Sequence, residues 1–213
     1  MRNLNKYLSL IEKSYSSDHA NKFLNEYFIT NQTNKILKGC EDILQMIPTQ
    51  PFACALLSAA LVEFARQKDI HCYLVAGSLD FKNKRVFNYD PIIEQQHIVE
   101  NWSGHCWVIF NDAIAEISLF RTAYSKQSPK WLHDMISSVF GENRGAVIAS
   151  QAVQEDMELY YTPEYIFNDL QISGLLNSVE QIVSQTWNIP IDSSTSRIVC
   201  PVPGFLHNET LLS

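Results

Sequence analysis

The sequence predicts an α+β fold, in which an antiparallel sheet packs against a central buried helix and the N-terminal helices form an outer layer. Three observations predict this fold. Apolar residues recur at helical spacing through the first 47 residues, a nearly uncharged helix-favouring run follows, and β-favouring runs separated by turn residues begin at residue 70. With 213 residues, of which 46% are hydrophobic, the chain fits one globular domain.

We expect this single domain, residues 1–213, to have four parts. They are an N-terminal helical layer (1–47), a core (48–124), a region of helices and later strands (125–187) and a C-terminal extension (188–213).

The N-terminal layer is predicted from two short amphipathic segments and one longer segment. Asp18 is placed to cap the second helix, and the third is expected from Thr33 to Met46, before Pro48 stops it. The apolar residues that recur at helical spacing are Leu4, Leu8, Ile11, Tyr15, Phe23, Leu24, Tyr27, Phe28, Ile36, Leu37, Cys40, Ile43, Leu44 and Ile47.

The central helix is predicted from residues 52–62, which hold one hydroxyl group and no charge. Thr49 or Gln50 can cap its start, Pro51 suits its first turn, and the helix is expected to end near Lys68.

Cys54 therefore falls near the N-terminal end of this helix. A thiolate there faces unpaired backbone N–H groups and the positive end of the helix dipole, which together with a cation lower a cysteine pKa from about 8.5 to roughly 3.5–7.5. The alternative interpretation is that Cys54 is a small apolar residue packed in the core.

Four β-favouring runs follow the central helix. They are residues 70–78, 85–89, 105–110 and 113–119, with a turn at 82–84 and a polar loop at 92–103. Asn111 and Asp112 connect the last two runs, which predicts a tight hairpin in which Phe110 pairs with Ala113.

The remaining chain is predicted to mix helices and short strands. Pro129 opens a helix that runs to Phe140 and ends at Gly141. The other expected elements are short strands at 146–149 and 157–161, a short helix at 163–169, a full helix at 175–187 and a surface-hugging extension from residue 188.

Charge and cysteine content limit the function classes. The chain has 16 Lys and Arg against 23 Asp and Glu, a net charge of -7, which argues against a nucleic-acid partner because phosphate binding needs clustered positive charge. We expect no membrane association, since no segment reaches the roughly 20 apolar residues that span a bilayer. The five widely spaced cysteines favour a reduced, cytoplasmic environment, and export without an N-terminal signal stays open.

A cysteine nucleophile needs a base that takes its proton and a third group that orients this base. His105, at the start of the hairpin, is the candidate base. With a two-residue turn, His105 and Glu116 lie on one face of the hairpin as diagonal neighbours. A three-residue loop would turn Glu116 to the other face, and Asn88, Asp90 and Glu94 are the reserve candidates. The purely structural alternatives are that His105 is a solvent-facing strand residue and that Glu116 is a rim carboxylate.

A cysteine thus opens a buried helix, a strand begins Gly104-His105-Cys106-Trp107-Val108, and Glu116 follows on the next strand. This order resembles the papain-like cysteine proteinase superfamily in its transglutaminase-like branch, which includes arylamine N-acetyltransferases. In that branch the histidine often precedes a Trp in a His-x-Trp pattern, and an Asp usually follows where this chain has Glu116. The resemblance covers residues 48–124 and suggests an uncharacterised bacterial family of the superfamily.

The resemblance implies cysteine-dependent acyl transfer without a cofactor. The Cys54 thiolate would attack a carbonyl, His105 would move protons, and Glu116 would fix the imidazole and stabilise its cationic form. The backbone N–H of Cys54 and the side-chain amide of Gln50 are the expected oxyanion donors. The substrate would be a peptide, a protein or a small acyl compound. Hydrolysis, deamidation and transfer to an amine stay open because they share one thioester intermediate.

Two other interpretations compete with this one. A metal site could use His71-Cys72 and His105-Cys106, but adjacent strand residues point to opposite faces, and the sequence has no Cys-x-x-Cys or His-Glu-x-x-His pattern. We therefore expect no metal. The second is a catalytically inactive papain-like binding or effector module, in which the same residues persist without turnover.

Overall fold

The structure, a computed structural model, describes residues 3–29, 31–49, 53–91, 104–141 and 145–187, and these ranges form an α+β fold with a six-stranded antiparallel sheet. The helices are α1 (Leu4–Ser14), α2 (Ser17–Glu26), α3 (Thr33–Met46), α4 (Cys54–Arg66), α5 (Leu119–Ala123), α6 (Lys130–Phe140), α7 (Gln151–Asp156) and α8 (Asp169–Trp187). The strands are β1 (Cys72–Phe81), β2 (Lys84–Phe87), β3 (His105–Phe110), β4 (Ala113–Glu116), β5 (Val147–Ser150) and β6 (Leu159–Ile166).

Strand β1 is the centre of the sheet. Along one edge it pairs with β3 through residues 72–77 and then with β2 through residues 79–81, and along the other edge it pairs with β6. β4 continues the sheet from β3, and β5 pairs with β4. Because β2 and β3 follow one another along the same edge of β1, the junction between them lies opposite Ser78.

Helices cover both faces of the sheet. Side chains alternate along a strand, so Leu74 and Val108 face a layer built from α3, α4 and α8, whereas Val75 and Trp107 face α1, α2, α5 and α6. The N-terminal helices therefore do not form the single outer layer that was expected. α1 and α2 lie on the face opposite α4, and only α3 packs beside α4.

The predicted hairpin is confirmed with its register. Phe110 pairs with Ala113 and Ile109 with Ile114, and Asn111 adopts a φ of 50°, as a two-residue hairpin turn requires. The turn between β1 and β2 is also where residues 82–84 predicted it, since Lys82 and Asn83 both have positive φ.

The start of α4 differs from the prediction. The helix begins at Cys54 with Ala53 as its N-cap residue, so Thr49 does not cap it, and residues 50–52 lie outside the described ranges. In α2, the hydroxyl of Ser16 accepts the hydrogen bond from the backbone N–H of His19, so the cap lies before Asp18.

The second half of the chain departs further from the expected elements. The last hairpin strand ends at Glu116, and α5 replaces its predicted end. The predicted helix at 163–169 is wrong, because β6 continues to Ile166 and pairs with β1. Pro163 is tolerated there since β6 pairs with no other described strand. α7 was not predicted, and α8 starts earlier than expected, at Asp169.

Two predicted segments, the loop at 92–103 and the extension from residue 188, lie outside the described residues. Within the ranges that the structure covers, no helix combines the length and the apolar character that a membrane crossing needs.

Gly77 allows β1 to bend where β2, β3 and β6 come together. A bulge shifts the register between β1 and β6 at this residue. A Cβ atom here would collide with the backbone oxygen of Thr162 and would lie 2.7 Å from Cη2 of Trp107. The backbone of a paired strand cannot move aside cheaply, so the position requires glycine.

We expect Gly77→Ala to lower the free energy of unfolding by about 1–3 kcal/mol, because the methyl group overpacks the core and displaces Trp107. Urea denaturation followed by circular dichroism measures the loss, and the near-UV spectrum reports the disturbed tryptophan. The control Gly141→Ala also loses stability, through its φ of 72°, but its new Cβ meets open space and should leave the near-UV spectrum unchanged. A Gly77→Ala protein with native stability and an unaltered near-UV spectrum would contradict this packing.

Candidate active site

Cys54 is the first residue of α4 and lies close to the start of β3. The residue is 6% exposed, and its sulfur lies 3.7 Å from the carbonyl oxygen of Gly104. The first N–H groups of a helix have no intrahelical acceptor, and the N-cap residue Ala53 supplies no side-chain cap for them. The sulfur is therefore placed at the positive end of the helix dipole.

His105 begins β3 opposite Gly77 and is 2% exposed. Its Nε2 atom lies 2.6 Å from Oε2 of Glu116 on the adjacent strand, so Nδ1 is the ring nitrogen left for Cys54. The imidazole stacks on Phe87, with 4.3 Å between the ring centroids. The two rings meet because β2 ends at Phe87 where β3 begins, along the same edge of β1.

Glu116 is fully buried, yet both of its carboxylate oxygens have donors. Oε1 accepts hydrogen bonds from the backbone N–H of Ser118 at 3.0 Å, from its hydroxyl at 3.0 Å and from the backbone N–H of Leu119 at 3.1 Å. Oε2 accepts from the Tyr161 hydroxyl at 3.2 Å in addition to His105. The carboxylate therefore occupies the N-terminal end of α5, where its charge is favoured.

Helix α5 also holds the segment that precedes α4. The guanidinium of Arg121 donates to the carbonyl oxygens of Ile47 at 2.9 Å, Pro48 at 3.3 Å and Leu44. These carbonyls lie at the end of α3 and in the connection that follows it. One short helix thus joins the carboxylate side of the site to the chain that leads towards the nucleophile.

The surroundings of Cys54 lower the pKa of its thiol from 9.0 to about 5. The largest cause is a hydrogen bond from the Cys106 thiol. Burial opposes this effect, and the hydrogen bond and positive charge of His105 lower the pKa further. At neutral pH Cys54 is a thiolate, which is the nucleophilic form of cysteine.

The pKa values of His105 and Glu116 favour an ion pair. Burial lowers the pKa of His105, but the charge of Glu116 and the hydrogen bond with Cys54 outweigh it and raise the pKa to about 10. Burial raises the pKa of Glu116, but the charge and hydrogen bond of His105 outweigh it and lower the pKa overall. Between about pH 5 and about pH 10, the site holds a thiolate, an imidazolium and a carboxylate.

The other described cysteines have the opposite character. Burial raises the pKa of Cys40 and Cys72 to about 12, and burial together with the neighbouring Cys54 raises that of Cys106 well above its usual value. All four described cysteines are free thiols. Among them, Cys54 alone is ionised at neutral pH.

The structure joins His105 to Glu116 by a hydrogen bond and places Cys54 near enough to His105 for each to shift the pKa of the other. Their catalytic roles stay a prediction. Glu116 takes the position at Nε2 of His105 for which Asn88 and Asp90 were the reserve candidates.

Two other candidates, Gln50 as an oxyanion donor and Glu94 as a reserve orienting group, lie outside the described residues.

Sequence reasoning did not identify five side chains that build the site: Phe87, Cys106, Ser118, Arg121 and Tyr161. Alternate residues of β6 are buried, so a strand prediction through residue 166 would have pointed Tyr161 inwards. The contacts of Arg121 could not be predicted because α5 was not predicted.

The structure does not bring together the residues that the competing metal interpretation would use as ligands. Cys72 pairs with Phe110 and His105 with Gly77, at opposite ends of the β1–β3 ladder, and His71 bonds to Glu26 at 2.6 Å. Across the described residues, no group of three or more His, Cys, Asp or Glu side chains is arranged to hold a metal ion.

Comparison of the chain with protein-family models, curated proteins and solved structures finds no match. Function is therefore inferred from the chemistry of the site.

We expect iodoacetamide to alkylate Cys54 faster than Cys40, Cys72 or Cys106, with a rate that falls as the pH drops through about 5 because the thiolate is then protonated. In His105→Ala the hydrogen bond and the positive charge of the imidazole are lost, so the apparent pKa of Cys54 should rise. Peptide mass spectrometry of the native protein across pH measures both values.

Cys72→Ser is the control for this experiment, since it removes a buried thiol elsewhere and should leave the profile of Cys54 unchanged. An apparent pKa near 8.5 for Cys54 that is the same with and without His105 would rule out the ion pair.

Glu116→Gln should lower the pKa of His105 and raise that of Cys54, because the charge that supports the imidazolium is removed. It should also lower the free energy of unfolding by about 3–5 kcal/mol, the usual effect of breaking a buried ion pair. NMR titration of the imidazole and urea denaturation provide the two readouts. The matched variant Tyr161→Phe removes one neutral donor to the carboxylate and should cost about 1.5–3 kcal/mol, with a much smaller effect on the pKa of His105. Equal effects of the two variants on the pKa of His105 would count against a charged Glu116.

Proposed function

We propose that the protein is a cysteine-dependent acyl-transfer enzyme in which Cys54 is the nucleophile, His105 the general acid and base, and Glu116 the positioning residue for His105. The observation that carries the proposal is the chain of contacts from a selectively acidic thiol through a buried imidazolium to a fully hydrogen-bonded carboxylate. This combination supplies an activated nucleophile, a proton carrier and an orienting group.

In the first half-reaction, the Cys54 sulfur forms a bond to the carbonyl carbon of the substrate, and the carbonyl electron pair moves onto oxygen. When this pair returns, the bond from carbon to the leaving amine or alkoxide breaks. The Nδ1 proton of His105 goes to the leaving group, and a thioester remains on Cys54.

In the second half-reaction, water or an amine gives a proton to Nδ1 of His105 and attacks the thioester carbonyl. The carbon–sulfur bond breaks, and the thiolate and imidazolium are restored. Glu116 keeps its charge throughout and holds Nε2, so that the same ring nitrogen serves both steps.

The negative oxygen of the intermediate needs donors near the sulfur. The backbone N–H of Cys54, at the uncapped start of α4, supports the proposal as the first donor. The side-chain amide of Gln50 stays the predicted second donor.

Peptides, side-chain amides of proteins and small acyl compounds are the proposed substrates. All of these substrates would form a thioester with Cys54. The nucleophile that attacks this thioester then decides between hydrolysis, deamidation and transfer to an amine.

The alternative is a binding module in which the same three residues stabilise the core without turnover. The observation in its favour is burial, since Cys54 is 6% exposed and His105 is 2% exposed. A substrate carbonyl must reach the sulfur for the enzyme proposal to hold, and this requirement separates the two functions experimentally.

The test uses p-nitrophenyl acetate with the full-length reduced protein. We expect a burst of p-nitrophenolate equal to the protein concentration, together with one acetyl group on Cys54 in the intact and peptide mass spectra. Cys54→Ala should abolish the burst, whereas Cys72→Ser should retain it.

Lack of acetylation in the folded wild-type protein, or an equal burst from Cys54→Ala, would overturn the enzyme proposal and favour the binding module. Circular dichroism of each variant verifies the fold before the comparison.

A further inference from the structure

Cys106 is a second thiol at the site, and the acyl-transfer steps do not use it. It lies on β3 two residues after Gly104, whose carbonyl oxygen is 3.7 Å from the Cys54 sulfur. Its side chain and that of Cys54 belong to the same packed layer between the sheet and α4. The two thiols lie near enough for each to shift the pKa of the other.

The strand around Cys106 is paired on one side at this point. Cys106 pairs with Ala76 of β1, whereas the ladder between β3 and β4 covers residues 108–110. Cys106 thus lies beyond the end of that ladder.

We propose that Cys54 and Cys106 form a reversible disulfide when a peroxide oxidises Cys54, and that this bond protects the Cys54 sulfur from further oxidation. The inference goes beyond the proposed function. It needs the reactive Cys54 thiolate but no turnover of an acyl substrate.

The chemistry takes two steps. The Cys54 thiolate attacks one oxygen of hydrogen peroxide, the O–O bond breaks, and sulfenic acid forms on Cys54 while hydroxide takes up a proton to give water. The Cys106 sulfur then attacks the Cys54 sulfur, the S–O bond breaks, and the departing hydroxide leaves as water with the Cys106 proton. Overall, two thiols are oxidised to one disulfide and hydrogen peroxide is reduced to two molecules of water.

The different thiol acidities support this division of roles. Cys54 is ionised and reacts with the peroxide, whereas the pKa of Cys106 is raised well above its usual value by burial and by its hydrogen bond with Cys54. Sulfenic acid is neutral, so oxidation of Cys54 removes the charge that disfavours ionisation of Cys106. Oxidation of the first thiol therefore makes the second one easier to ionise.

The test treats the reduced, full-length protein with hydrogen peroxide and maps its peptides without reductant. We expect a Cys54–Cys106 disulfide, a mass loss of two hydrogen atoms, and loss of iodoacetamide labelling at Cys54 that dithiothreitol restores. In Cys106→Ser the disulfide should be lost, and Cys54 should proceed to sulfinic acid, which dithiothreitol does not reverse. The matched control Cys72→Ser should form the same disulfide as the wild type.

The inference is overturned if wild-type Cys54 becomes sulfinic acid without a disulfide, stays unoxidised, or pairs with Cys40, Cys72 or Cys200. The wild-type peptide map decides the outcome even where Cys106→Ser does not fold. Acetylation by p-nitrophenyl acetate is measured separately on reduced protein. A disulfide without acetylation therefore supports this inference and overturns the proposed function, and acetylation without a disulfide does the reverse.

Discussion

The hydrogen bond between Nε2 of His105 and Oε2 of Glu116 is the interaction on which the rest of the site depends. Both side chains are almost completely buried, and removing charges from water is costly unless other groups replace the lost hydration. Glu116 obtains these groups from the start of α5 and from Tyr161 on β6. The hairpin, α5 and β6 must all be in place before the pair is stable, so the site and the fold form together.

The same pair makes an ionised sulfur possible inside the core. Cys54 lies at a helix start, but burial alone would keep its thiol protonated, as it does for Cys40 and Cys72. The hydrogen bond from the Cys106 thiol, which is the largest cause, and the hydrogen bond and charge of His105 reverse this effect. The charge of the imidazolium in turn needs Glu116. Three residues from three different elements therefore share one electrostatic arrangement, and changing one of them changes the protonation of the others.

Burial explains why Cys54 alone among the described cysteines has a low pKa. It raises the pKa of the other described cysteines, whereas for Cys54 the hydrogen bond from Cys106 and the interactions with His105 outweigh it. The proposed acyl chemistry and the proposed oxidation chemistry both depend on this difference in acidity between Cys54 and Cys106.

Local residue patterns by themselves determined α3, the hairpin register and hence the pairing of His105 with Glu116, because helical periodicity and a two-residue turn act over a few residues. Only the tertiary structure decided the division of the N-terminal helices between two faces, the extension of β6 through Pro163, the start of α5 and the position of Tyr161. These features depend on contacts between residues far apart in the chain, such as Leu79 with Tyr161, whose side-chain packing overrides local propensity. The sequence pattern of β1 or of β6 alone does not predict that contact.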